Sequence, residues 1–254
     1  MIERLLKLIK RNKTAYSLGL PFFTGIGKFK MPNKVTYRGS TFPIHFPELD
    51  LATANLVFIE LFLDDCYRLT LIKEPIKKII DIGANMGFAS LKMTILFNPD
   101  SIIAFEPNPF LIPFIKKNLS HLNTAIIENK AIGHHDGTAN LIFIERENQI
   151  VSGLTKTDFE QEGNTEIISF NSVVKKYGPI DLVKMDCEGA EWGFLQDEAW
   201  QGVKYLTMEY HLNLDNPKKQ KANLIELLNT HFKILADDPI DELTGIILAK
   251  NKFI

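Results

Sequence analysis

The 254-residue sequence is poor in cysteine, in net charge and in long apolar runs, and each shortage excludes something. Two cysteines, Cys66 and Cys187, cannot build a disulfide framework, so a reduced, cytoplasmic compartment is expected. No stretch approaches 18 uncharged apolar residues, which argues against a bilayer-spanning segment. Charge interrupts the apolar residues of Met1–Lys10, and no small-residue cleavage site follows, so the start does not read as a secretory signal. Basic residues number 29 and acidic residues 31, a net charge of −2. A nearly neutral chain is a poor nucleic-acid coat, and no nucleic-acid partner is expected.

What is present is ordinary globular material, 45% apolar and 24% charged. The length suits one large α/β domain, or a domain of about 180 residues with an appendage. The charge is unevenly spread. Residues 1–40 hold nine bases against one acid, a net of +8, so the remaining 214 residues carry −10.

Ile2, Leu5, Leu6 and Ile9 fall at helical spacing among bases, with Leu8 slightly off that stripe, and predict a short amphipathic helix. It reads either as a solubilising helix packed on the rest of the chain or as a peripheral membrane contact. A hairpin is expected over residues 33–38 and 41–46, and one or two helices over 52–72, with Tyr67 among the residues at helical spacing. Residues 1–75 are read as an N-terminal helix and hairpin appendage, and residues 76–254 as the main domain. From Lys77 onward, buried strands alternate with helices. Strands are expected at 77–82, 101–106, 124–132, 180–186, 203–210, 231–235 and 243–249. Helices are expected at 88–97, near 109–121, from Gly189, and near 217–230. This rhythm implies a parallel sheet with helices on both faces. Strand-like pieces at 138–145 and 166–170 read as a β excursion. No internal repeat is evident.

The strongest signal is Asp81-Ile-Gly83-Ala-Asn85-Met-Gly87, a turn between a strand and a helix. Gly83 and Gly87 permit positive φ and close approach of backbone to a ligand. Ligands of open α/β sheets bind beyond the carboxyl ends of the strands, where this turn lies. A dinucleotide fingerprint would need a third glycine, and Asp81 would repel a pyrophosphate. A carboxylate there suits a cationic ligand. Glu106, ending the next strand, can accept both hydroxyls of a ribose. Asn129, near the end of the third strand, is a candidate for the adenine edge or a solvated turn residue. An adenosine with a cationic amino-acid tail meets these demands, and S-adenosylmethionine is such a molecule.

The chain resembles the FkbM family of class I S-adenosylmethionine-dependent methyltransferases. Three blocks carry the resemblance: Ile80-Asp-Ile-Gly-Ala-Asn-Met-Gly87, Ala104-Phe-Glu-Pro-Asn-Pro109, and Asp181-Leu-Val-Lys-Met-Asp-Cys-Glu-Gly-Ala-Glu191. Asn129–Gly133 and Asp136-Gly137 are also similar to the family's third-strand region. The resemblance implies a Rossmann-like sheet of seven strands with the last antiparallel. It also implies methylation of hydroxyl oxygens, on sugars, glycans or secondary metabolites. One departure is Ser169-Phe-Asn171, where family members commonly carry Leu-Asp ahead of the fourth strand.

Methyl transfer to a hydroxyl is an in-line displacement that needs an aligned oxygen and a proton acceptor. Asp186, ending the fourth strand, is the leading candidate for base or substrate orienter. Glu188 follows it, and Glu209 and His211 close the fifth strand. Lys184 lies on the same strand face as Asp186 and reads as an ion-pair partner or as a group orienting the hydroxyl. His211 reads as catalytic or as a satisfied core histidine, and Glu191 as a complement to a helix N-terminus. No metal is assigned, although Asp186, Glu188, Glu209 and His211 have the chemistry to ligate one. The expected function is O-methylation of a small-molecule or glycan hydroxyl by a carboxylate base. N-methylation, a dinucleotide-dependent dehydrogenase and a non-catalytic cofactor-binding partner stand as alternatives.

Overall fold

The computed structural model describes every residue except Met1, 26–28, 147–148, 159–162, Glu188 and Asp197. The described chain opens with helix α1 (Ile2–Ser17) and a hairpin of β1 (Lys34–Tyr37) and β2 (Ser40–Pro43). Helix α2 (Leu51–Phe58) runs on into a π-helical turn over Ile59–Asp64. Left-handed backbone at Asp65 and Arg68 ends that helix and places Tyr67 in a turn.

The central sheet is then laid down as β3 (Lys78–Ile82), α3 (Phe88–Phe97), β4 (Ser101–Phe105), α4 (Ile112–Asn118) and β5 (Ala125–Glu128). A β excursion follows, with β6 (Ala131–Gly133), β7 (Gly137–Arg146), β8 (Gln149–Asp158) and β9 (Thr165–Ser169) in the order β6–β9–β7–β8. Helix α5 (Phe170–Tyr177), β10 (Ile180–Met185), β11 (Val203–His211), α6 (Pro217–His231), β12 (Phe232–Pro239) and β13 (Thr244–Asn251) complete the chain. The seven-stranded sheet has the order β12–β13–β11–β10–β3–β4–β5. Neighbours from β5 to β11 are parallel, and β13 runs antiparallel to both β11 and β12. The Rossmann-like arrangement with an antiparallel seventh strand is therefore present.

The sheet is buried on both faces, which is why its strands read as continuous apolar runs rather than as alternation. Ile79, Ile102, Ala104, Leu182 and Leu248 point to one face, and Ile80, Ile103, Val183, Leu206 and Ile247 to the other. The second face is covered by residues of α5 and α6 and by Trp200. The first face carries the candidate site. It is covered by α3 and by the N-terminal segment, whose Ala15, Phe23, Val35 and Phe58 join the same core as Ile79 and Phe88.

Four expectations are corrected. The third strand divides: β5 stays in the central sheet, whereas Ala131–Gly133 pairs with β9 in the excursion. No α-helix starts at Gly189. Two short 3-10 turns, Ala190–Gly193 and Glu198–Gly202, take its place, because Gly193 interrupts the run and buried Glu191, Phe194 and Trp200 anchor it turn by turn. Helix α5 was unforeseen. Its N-cap is Ser169, whose Oγ accepts from the Ser172 N–H at 3.2 Å, so the departure at Ser169-Phe-Asn171 serves local capping.

The fourth correction concerns α1, which docks by its other side. Leu8 and Ala15 face the core, while Leu5, Leu6 and Ile9 are 56%, 61% and 56% exposed. Polar anchors select that side. Asn12 exchanges hydrogen bonds with the backbone of Phe23, and Arg11 binds Asp64 through two nitrogens at 2.7 and 2.6 Å. An arginine fork on a carboxylate fixes orientation as well as position.

On the site face, Asp81, Lys184 and Thr207 lie side by side in register across β3, β10 and β11. Lys184 Nζ stands 3.3 Å from Asp81 Oδ1, and the Ser90 hydroxyl donates to Asp81 Oδ2 at 2.6 Å. Neither member of the pair reaches solvent, with side chains 3% and 0% exposed. Removing one partner of such a pair strands a buried charge. Lys184→Met is expected to lower unfolding free energy by about 3–5 kcal/mol, read by urea denaturation. Adding Asp81→Asn to that variant should recover part of the loss.

Candidate active site

A cavity of about 970 Å³ opens beyond the carboxyl ends of β3 and β10. Its floor is the glycine turn, with Gly83, Ala84 and Asn85, together with Lys184 and Asp186. Its roof comes from the N-terminal segment: Arg11 of α1, Glu60 and Asp64 of the π-helical turn, and Tyr67. Glu209 at the end of β11 closes one side.

The turn is pinned from three directions. Gly83 and Gly87 hold φ of +71° and +84°. A Cβ on Gly83 would overlap the carbonyl oxygen of Asp186, and one on Gly87 would press on Ile115 of α4. The glycines thus let the turn seat against β10 and α4. The Glu106 carboxylate accepts from the Asn85 N–H at 2.7 Å and from the Asn108 N–H at 2.8 Å. Asn129 donates its amide to the backbone oxygens of Glu106 and Pro107 at 2.8 and 2.9 Å, and so supports the end of β4. Lys184 donates to the Gly83 carbonyl at 2.7 Å from below.

At the centre stands Asp186, with its side chain 28% exposed at the cavity wall. Its Oδ2 accepts from the Tyr67 hydroxyl at 2.9 Å and lies 3.9 Å from Lys184 Nζ. Burial pushes the Tyr67 hydroxyl well above its ordinary value, and the nearby Asp186 charge pushes it further, so Tyr67 stays a donor. Burial works to lower the Lys184 ammonium, but Asp81 and Asp186 more than offset it and hold it raised and charged. Thr207 Oγ1 donates to the Tyr67 carbonyl at 2.9 Å, tying the turn that bears Tyr67 to the same polar row. Desolvation, then the charges of Asp64 and Asp186, raise the Glu60 carboxyl. The Cys66 thiol at the cavity is pushed up to about 12 by burial and stays protonated, hence a poor nucleophile.

The structure gathers Asp81, Gly83, Asn85, Lys184 and Asp186 around this centre. Gly87, Glu106 and Asn129 sit behind the turn and position it. Glu191, fully buried, accepts from the backbone N–H groups of Gly189 and His211, each at 2.9 Å. The His211 ring Nδ1 is 3.2 Å from the same carboxylate, so His211 belongs to that buried bracket and is not among the cavity-lining residues. Cys187 donates through its Sγ to Glu191 at 3.6 Å. Glu188 lies outside the described residues. Among the described residues no group of three or more His, Cys, Asp or Glu side chains is placed to hold a metal.

Two residues escaped the sequence reading, Tyr67 and Glu60. Both fall at helical spacing in 52–72, where periodicity counts Tyr67 as core. The available signal was charge: Glu60, Asp64 and Asp65 interrupt an otherwise apolar helix.

The cavity wall carries both signs: Glu60, Asp64, Asp186, Glu209 and Asp238 stand with Lys7, Lys10, Arg11, Arg68 and Lys184. Burial pushes the Glu106 carboxyl up to about 7, against the lowering pull of the Asn108 and Asn85 N–H groups. Its ordinary value is 4.5, so between these values the folded chain holds a proton that the unfolded chain has released. Stability should therefore fall as pH rises from 4.5 to 7, by about 3 kcal/mol from this group. Thermal unfolding between pH 4.5 and 8 should show that slope, and Glu106→Gln should flatten it.

The chain matches the methyltransferase FkbM domain over residues 81–235. It is similar to methyltransferase sdnD of Sordaria araneosa, 29% identical over 195 residues, covering 61% of this chain and 74% of that one. Methyltransferase 1 of Beauveria bassiana is 23% identical over 176 residues, covering 59% and 70%. Among solved structures, the fibrillarin pre-rRNA processing protein of Methanococcus jannaschii aligns with a TM-score of 0.45 and 12% identity over 71% of this chain and 70% of that one. M. jannaschii TYW2 in complex with AdoMet aligns with a TM-score of 0.44 and 11% identity over 87% of each. The chain belongs to the FkbM methyltransferase family and is a methyltransferase that uses S-adenosylmethionine.

Proposed function

We propose that the enzyme methylates a hydroxyl oxygen of a sugar, glycan or secondary-metabolite acceptor, with Asp186 as the proton acceptor. The observation that carries this reading is the setting of Asp186. It is a cavity-wall carboxylate at the end of β10, with one oxygen held by Tyr67 and its side chain partly exposed to the space beside the glycine turn. When bound, the cofactor supplies an already activated, electrophilic methyl group. The chain itself has then to orient an oxygen and remove its proton.

Asp186 takes the proton from the acceptor hydroxyl. Tyr67 and Lys184 hold the carboxylate in one orientation, so little reorganisation is needed at the moment of transfer. Gly83 and Asn85 form the floor, and Glu106, from behind, fixes the turn that would hold the adenosine. Glu60 and Glu209 add carboxylates on the side of Asp186 that suit a cationic cofactor, while Lys7, Lys10, Arg11 and Arg68 balance them on the rest of the wall.

With labelled cofactor and a panel of hydroxylated acceptors, Asp186→Asn is expected to retain cofactor binding and to lower kcat by about 10²–10⁴-fold. Tyr67→Phe removes only a hydrogen bond to a charged group and should lower kcat by roughly 10–100-fold. Turnover close to the parent's in Asp186→Asn would remove it from the base role.

A further inference from the structure

The exposed side of α1 sets large apolar side chains among bases. Leu5 and Ile9 stand one turn apart, and Tyr16, 87% exposed, continues the same face. Arg4, Lys7, Lys10 and Lys13 are interleaved with them, and all are exposed. The inner edge of the same helix lines the cavity through Leu6, Lys7, Lys10 and Arg11. Leu56 and Ile240 also line the cavity and are 47% and 61% exposed, but Ile240 stands among Asp237, Asp238, Asp241 and Glu242, so the apolar strip flanked by bases is confined to α1.

We infer that this face docks the enzyme on an anionic membrane surface. Two observations select a bilayer. The apolar side chains form a shallow strip suited to burial at the boundary of headgroups and acyl chains, and the exposed bases Arg4, Lys10 and Lys13 among them match anionic headgroups. The helix is held in place by Arg11–Asp64 and Asn12–Phe23, so the strip is presented by a fixed element. The docking does not rest on the methyl-transfer reading above.

Sedimentation of the full chain with vesicles tests the docking. Binding is expected to phosphatidylcholine vesicles containing phosphatidylglycerol, weakening at high salt, and little is expected to phosphatidylcholine alone. Leu5→Ser combined with Ile9→Ser should weaken binding by about tenfold or more while cofactor affinity stays at the parent value. Lys10→Glu combined with Lys13→Glu should weaken it in the same assay by removing the attraction. Absence of sedimentation with the anionic vesicles, or equal sedimentation of the apolar double variant, would overturn the inference. So would a concentration-dependent dimer that disappears in the double variant, since the face would then belong to a second copy. Vesicle binding without methyl transfer to any hydroxylated acceptor, soluble or lipid-linked, would instead strike the proposed function and leave the docking standing.

Discussion

The site depends on one buried cation. Lys184 stands in the middle strand of the sheet and touches three groups at the floor of the cavity: Asp81 beside it on β3, Asp186 two residues further along its own strand, and the carbonyl of Gly83 at the turn. A lone ammonium in that position would be expelled or neutralised. Two carboxylates keep it charged, and its presence lets Asp81 sit fully buried beside it. Ser90 and Thr207 complete the set, one from the helix after the turn and one from the next strand. The geometry of the glycine turn and the orientation of Asp186 are consequently set by the same group.

The N-terminal segment supplies the other half of the cavity. It is held to the sheet domain by a shared apolar core and by polar pins at Arg68–Asp238 and Lys92–Asp65, while Arg11–Asp64 ties α1 to the π-helical turn within the segment. These join α1, the π-helical turn, α3 and β12 around the opening. A π-helical stretch widens a helix locally and often sits at functional sites. Here it brings Glu60 and Asp64 to the cavity wall.

Most of the sheet was legible because buried parallel strands write their burial directly into sequence. Runs such as Ile79–Ile82 and Ile102–Phe105 end in a turn or a carboxylate, and helix Phe88–Phe97 follows its glycine as expected. The β excursion was legible only as strand-like pieces, because β8 pairs with β7 across a long hairpin whose alternation is weak. Periodicity also showed that α1 has two unlike sides without showing which side would find a partner. Leu8 looked misplaced on an apolar stripe, yet it is the leucine that packs, because Asn12 and Arg11 have partners on that side, while Leu5, Leu6 and Ile9 stay exposed. The acids of the site were readable from their positions at strand ends. Tyr67 was not, since its role arises from a left-handed turn that brings a distant segment within 2.9 Å of Asp186.

That contact crosses the boundary of the family segment, which begins at residue 81. The sheet, the glycine turn and Asp186 all lie inside the segment, whereas the hydroxyl that orients Asp186 is donated from outside it. A chain with a different N-terminal segment would keep the glycine turn and have to orient its carboxylate anew. The residues that roof the cavity and the hydroxyl that holds Asp186 are carried on one stretch of chain. A change in that stretch therefore alters the space above the turn and the setting of Asp186 together.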